Sequence, residues 1–208
     1  MDIHKKIETL KIVPVVVLQE AEDAVPLAEA LIQGGLPVAE VTFRTGAAES
    51  SIREISKHYP EMLVGAGTVT SVEQAKKAQD AGAKFLVTAG FHREVTEYAV
   101  QNKIPIYPGV CTPTELMLLL QYGLSVAKFF PASQYGGLNT IKALSGPFPQ
   151  MRFMPTGGIN AENIREYLAY PKVIACGGSW MVRGELIREG KFGEVQKLTA
   201  EAVSLVRQ

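Results

Sequence analysis

Short apolar runs return along the chain roughly every 20 to 25 residues, and the stretches between them carry hydrophobic side chains at intervals of three and four. The runs are IVPVVVL (12–18), LPVAEVTF (36–43), MLVGA (62–66), KFLVT (84–88), IPIYP (104–108), SVAKFF (125–130), RFMPT (152–156) and VIACG (173–177). They are rich in Val, Ile and Phe and continuous rather than strictly alternating, the pattern of strands buried on both faces of a parallel sheet. The stretches between them read as helices. AEDAVPLAEALIQGG (21–35) puts Ala24, Leu27, Ala28 and Leu31 on one face, with Gly34 and Gly35 to end it. Ser71 is placed to N-cap the segment that Gly82 terminates, and Pro113 and Gly123 bracket the next in the same way. A further helix over 2–10 precedes the first strand. The last helix, 191–207, is predicted to hold Val195, Leu198, Ala202 and Leu205 on one side.

Eight strand-and-helix units predict an α/β fold closed into a (β/α)8 TIM barrel, with the extra N-terminal helix, as a single domain over 1–208. A doubly wound open sheet is the alternative. It would leave polar edge strands, and none of the eight reads that way, although Pro105 and Pro155 argue that the fifth and seventh strands are short.

Composition narrows the function. With 47% apolar and 20% charged residues among 208, the chain is globular, and 21 basic residues balance 21 acidic ones. No net field steers nucleic acid or an anionic membrane toward it, so neither is expected as a partner. No apolar run approaches the length of about 20 residues that spans a bilayer. Cys111 and Cys176 are the only cysteines, and the N-terminus lacks a signal-peptide pattern, so a cytoplasmic protein without a disulfide scaffold is expected. Cys111 is read as a small buried thiol. His4, His58 and His92 make no ligand pattern with the cysteines, so neither a metal nor a cofactor is expected; only His92 falls near a strand end.

In a barrel the chemistry sits where the strands end. Lys128 interrupts the otherwise apolar SVAKFF, and strand periodicity puts it on the face opposite Ala127 and Phe129; if those two face the helices, Lys128 points into the mouth. Burial favours the uncharged amine that attack on a ketone requires. The alternatives are a lysine that reaches solvent or one held in a buried ion pair. Glu40 shares its face with Thr42 and also projects inward, as a proton carrier or as a salt-bridge partner of Lys128 or Arg44. Arg44 is suited to gripping a substrate carboxylate and is equally at home as a surface residue. PTGGIN (155–160) and CGGS (176–179) follow the last two strands. Gly157, Gly158, Gly178 and Ser179 are therefore expected to offer backbone and hydroxyl donors to a phosphate. GAGTVTS (65–71) lacks the full dinucleotide-binding pattern, and Gly65 and Gly67 are read as allowing close approach of substrate.

These residues sit in segments that resemble a known family: PVVVL near the start, EVTFRT (40–45), VGAGTV (64–69), PGVCTPTELM (108–117), KFFPA (128–132), GPFPQMRFMPTGGI (146–159) and GGSW (177–180). The chain is similar to bacterial 2-keto-3-deoxy-6-phosphogluconate (KDPG) aldolases and the related 4-hydroxy-2-oxoglutarate and 2-keto-3-deoxy-6-phosphogalactonate aldolases. The resemblance implies a metal-independent class I aldolase of trimeric barrels, serving Entner–Doudoroff carbohydrate metabolism and yielding pyruvate from a phosphorylated 2-keto acid. It implies Lys128 as the Schiff-base former and Glu40 as the proton carrier. It also implies Arg44 and Thr68 as holders of the pyruvyl end, and Gly157, Gly158, Gly178 and Ser179 as phosphate donors. Two departures bear on substrate range. Thr88, Ala89, Gly90, Phe91 and His92 stand where the family pattern has Ser-Pro-Gly, and RTGAA (44–48) differs from an RTxCA-like form. A phosphosugar isomerase or epimerase using Glu40 as base, or a non-catalytic phosphometabolite-binding protein, are the rival functions. Which of the three aldol substrates is preferred stays open at this point.

Overall fold

The computed structural model describes residues 2–207. A helix, α1 (Ile3–Leu10), leads into the strands β1 (Ile12–Val16), β2 (Val38–Thr42), β3 (Leu63–Gly67), β4 (Leu86–Val87), β5 (Ile106–Tyr107), β6 (Gly109–Val110), β7 (Val126–Phe129), β8 (Arg152–Pro155) and β9 (Cys176–Gly178). Between and after them run α2 (Ala24–Gln33), α3 (Ala48–His58), α4 (Val72–Asp80), α5 (Arg93–Gln101), α6 (Pro113–Gln121), α7 (Gly137–Ser145), α8 (Ile164–Leu168), α9 (Gly184–Arg188) and α10 (Phe192–Arg207).

The nine strand segments form eight staves. Pro108, which has no N–H to give a ladder, separates β5 from β6, so that one stave pairs with β4 through its first half and with β7 through its second. All the pairings are parallel. β1 lies between β2 and β9, with Val15 opposite Glu40 and Ile12 opposite Cys176. Single bridges from Phe153 to Val173 and from Thr156 to Gly177 join β8 to β9 and close the ring. Every residue of β2 and β3 is buried, as expected of strands covered by helices outside and by side chains within.

The helices follow the local signals closely. Ala24, Leu27, Ala28 and Leu31 are all buried in α2. Ser71 accepts the Gln74 N–H and caps α4, and Pro113 opens α6. α1 crosses the amino-terminal end of the barrel. It buries Ile7, places His4 Nδ1 2.9 Å from the Tyr107 hydroxyl, and pairs Glu8 with Arg152 at the start of β8. No helix among the described residues is long and apolar enough to cross a membrane.

Three expectations need correction. The ladder of the last stave runs from Cys176 to Gly178, not from 173, because Val173 and Ile174 are spent on β8 while Cys176 N–H reaches the Lys11 carbonyl. KFLVT contributes only Leu86–Val87. In α10 the buried side is Val195, Thr199, Ala202 and Val203, with Leu198 and Leu205 on its flank. α2 ends against this face at Gly34, where a Cβ would lie 2.6 Å from the Thr199 Cβ, so the close approach needs glycine at 34.

Candidate active site

β7 carries Val126, Ala127, Lys128 and Phe129, all buried, and period-2 alternation sends Ala127 and Phe129 outward under the helices. Lys128 therefore points inward, flanked in register by Gly109 on one side and Met154 on the other. Glu40, in the middle of β2, also points in, between Val15 and Gly65. These residues are 88 apart in the chain, yet Lys128 Nζ lies 3.1 Å from Glu40 Oε1. Their side chains are 5% and 0% exposed, and among the described residues they are the only buried charged groups. The amine also sits 5.2 Å from the centre of the Phe130 ring. Glu40 Oε2 is buried and accepts no hydrogen bond from the described residues.

A buried pair of this kind carries a desolvation cost that its own attraction offsets only partly. What it provides is a primary amine and a carboxylate within proton-transfer reach, away from bulk water. The glycines of β3 make room for it. A Cβ on Gly67 would lie 2.3 Å from Glu40 Oε1, and one on Gly65 would lie 2.3 Å from the Phe85 ring. Those glycines thus leave the space that Glu40 and the Phe85 ring occupy.

The remaining predicted residues lie at or just beyond the carboxyl ends of β2, β3, β8 and β9. Thr68 directly follows β3, half-buried, with φ at 54°, a left-handed conformation that a β-branched residue adopts only under strain. Gly157 and Gly158, at φ 99° and 75°, turn the chain after β8 in a way open to glycine alone. Their loop is pinned to the one after β7, where Ala132 N–H donates to the Thr156 carbonyl and Ser133 N–H to that of Gly157. Gly178 is buried under the Trp180 ring, and Ser179 emerges exposed beside it. Arg44 is exposed two residues beyond β2. It lines a cleft of about 460 Å³ together with Val15, Val17 and Ser179.

Other candidates have structural roles. His92 caps α5 by accepting the Val95 N–H. Cys111 is half-buried rather than fully buried, and burial, then the nearby Glu115 carboxylate, pushes its thiol above the usual range, away from nucleophilic use. Within the loop 88–92, the Thr88 hydroxyl accepts the Gly109 N–H, and the Ala89 carbonyl crowds against Gly109. Sequence reasoning missed Arg183 and Arg188 on the same cleft; their only signal was position after the last strand. No group of three or more His, Cys, Asp or Glu side chains able to hold a metal occurs among the described residues.

A closed parallel barrel whose mouth holds a buried amine against a carboxylate is the framework of a class I aldolase, an enzyme that breaks carbon–carbon bonds through an imine. The model of the KDPG and KHG aldolase family matches residues 3–198. A 2-dehydro-3-deoxy-phosphogluconate aldolase of Treponema pallidum is 46% identical over 98% of this chain and 97% of its own length. The KHG/KDPG aldolase of Escherichia coli is 45% identical over 92% and 90%. The crystal structure of a KDPG aldolase from Legionella pneumophila, with pyruvate captured as a covalent carbinolamine, superposes with a TM-score of 0.93. That protein is 40% identical, and the match covers 97% of this chain and 98% of the other. The chain belongs to the KDPG and KHG aldolase family.

Proposed function

We propose that this protein cleaves 2-keto-3-deoxy-6-phosphogluconate to pyruvate and glyceraldehyde 3-phosphate through an imine on Lys128. The observation that carries the reading is the buried contact of 3.1 Å between Lys128 Nζ and Glu40 Oε1.

The proton between those atoms passes to the carboxylate, freeing the amine's lone pair to attack the C2 ketone. Glu40 returns it to the carbinolamine hydroxyl, which leaves as water and yields a protonated imine. Glu40 then takes the C4 hydroxyl proton, for which the unengaged Oε2 is suited. As the C4 carbonyl forms, the C3–C4 bond breaks and its electron pair moves into the imine, giving an enamine of pyruvate. Glyceraldehyde 3-phosphate departs. Protonation at C3 restores the imine, and water hydrolyses it to pyruvate and free Lys128. The aldolases named above, and the carbinolamine of pyruvate in the Legionella pneumophila protein, support the same course here. Arg44 and Thr68 are assigned to the pyruvyl end, and Gly157, Gly158, Gly178 and Ser179 to the phosphate.

Borohydride added with pyruvate is expected to leave a reduced pyruvyl adduct on Lys128, found by peptide mass spectrometry, and Lys128→Ala is expected to abolish cleavage. An adduct on another lysine, or none, rejects the assignment. Pyruvate release from the gluconate-derived phosphate, its galactonate-derived epimer and 4-hydroxy-2-oxoglutarate ranks the substrates. The unpaired Cys111 and Cys176 fit a single-domain cytoplasmic enzyme. A homotrimer, implied by the resemblance, would sediment with three times the 22.6 kDa chain mass.

A further inference from the structure

The cleft that Arg44 shares with Ser179 holds two more guanidinium groups. Arg183 stands just before α9, and Arg188 closes that helix. Residues four apart on a helix share a face, and Gly184 leaves that face bare: a Cβ there would lie 3.3 Å from one terminal nitrogen of Arg188. Glu185 is the one acidic residue on the lining. Among the described residues, no ion pair or side-chain hydrogen bond engages the guanidinium of Arg44, Arg183 or Arg188, although the charge of Arg188 is felt by the neighbouring Glu189.

With Arg44 assigned to the pyruvyl carboxylate, Arg183 and Arg188 are the cations on this lining left for a second anionic group, with Glu185 the one carboxylate among them. The apolar part of the wall, Val15 and Val17, continues β1 out of the barrel, and Val15 is the cross-strand neighbour of Glu40. The cleft therefore begins one strand away from Glu40, at Val15, and carries its arginines on the same wall as Ser179. That arrangement fits a short carbon chain ending in a dianion. Arginine forks bind phosphate oxygens in pairs, and a phosphate monoester carries about two negative charges near neutral pH, where a carboxylate carries one.

We propose that Arg183 and Arg188 are specificity-determining residues that select substrates with a phosphorylated distal end over those ending in a carboxylate. The inference rests on the imine reaction at Lys128 and adds which charge at the far end of the 2-keto acid is preferred. The glycine loops hold a phosphate by backbone donors, and the two arginines set how much its second charge matters.

The test compares kcat/KM for 2-keto-3-deoxy-6-phosphogluconate and for 4-hydroxy-2-oxoglutarate in the wild type, Arg183→Gln, Arg188→Gln and the double variant. Each substitution is expected to lower the ratio of the two, phosphorylated over unphosphorylated, by about tenfold, the usual scale for one charge-assisted hydrogen bond, chiefly through KM. Arg183→Lys and Arg188→Lys, which keep the charge and lose the fork, should recover part of the ratio. Inorganic phosphate is expected to compete with the phosphorylated substrate in the wild type and to lose potency in the double variant. A ratio unchanged in the double variant overturns the proposal. So does phosphate inhibition that the substitutions weaken without moving the ratio, since the cleft would then be a separate anion site. Pyruvate trapping on Lys128 in the same variants reports folding and the imine chemistry by itself, so a failure there is distinguishable from a failure of the arginines.

Discussion

Gly67 lacks a side chain where Glu40 needs space, and Gly65 lacks one where the Phe85 ring lies, so two glycines two residues apart serve different ends. Their substitution is expected to separate activity from stability. In Gly67→Ala the new methyl meets the end of a flexible carboxylate, which swings aside and loses its position against Lys128. We expect the cleavage rate to fall on the order of 100-fold, the cost of a misplacement of about 1 Å, with a small change in the urea midpoint. In Gly65→Ala the methyl meets a rigid ring fully inside the core. Here unfolding should become easier by about 1–3 kcal/mol, while the activity of the folded fraction is largely kept. The reverse outcome, a stable Gly65→Ala with an idle site, would mean that β3 positions the reaction through Phe85. Neither glycine announced its role in the sequence, because what presses on a missing Cβ comes from a neighbouring strand or the connection after it.

α6 starts at the mouth, directly after the stave formed by β5 and β6, and its first turn is clamped by a reciprocal cap. The Thr112 hydroxyl accepts the Glu115 N–H, while Glu115 Oε2 accepts the N–H groups of Cys111 and Thr112, each at 2.8 Å. Removing one half by Thr112→Ala is expected to destabilise the protein by about 1 kcal/mol, read as a lower urea midpoint at constant slope. Thr112→Ser should be close to neutral. Element starts and stops of this kind are legible because they depend on residues a few positions apart: Ser71, Pro113 and Gly123 could be assigned from spacing. Strand lengths could not. KFLVT is long enough to pair throughout, yet only Leu86 is in register with a strand on both sides and Val87 with β5 alone, since a ladder ends where the neighbouring chain turns away.

At the scale of the whole molecule, α1 fastens the amino-terminal end of the barrel through the Glu8–Arg152 pair, which joins positions far apart in the chain. Its hydrogen bond to Arg152 is the main cause holding the Glu8 carboxyl below its ordinary value of 4.5, with burial opposing. The folded state thus prefers the ionised form. The stabilisation is full above about pH 5 and fades as pH falls through the folded value. The pair is more than a third exposed and screened, so we expect at most about 1 kcal/mol. Wild type and Glu8→Gln should differ in thermal midpoint at pH 7 and converge toward pH 3; a difference that widens on acidification would contradict the pairing. The sequence by itself determined the alternation of strands and helices, their number, and which neighbours share a face with Lys128 and Glu40, since periodicity reports shared faces. Only the tertiary structure decided that those two groups touch, and that Arg44, Arg183 and Arg188 line one cleft with Ser179. Those distances run across the closed ring, and closure and register sum over every stave, so no local stretch of chain contains them.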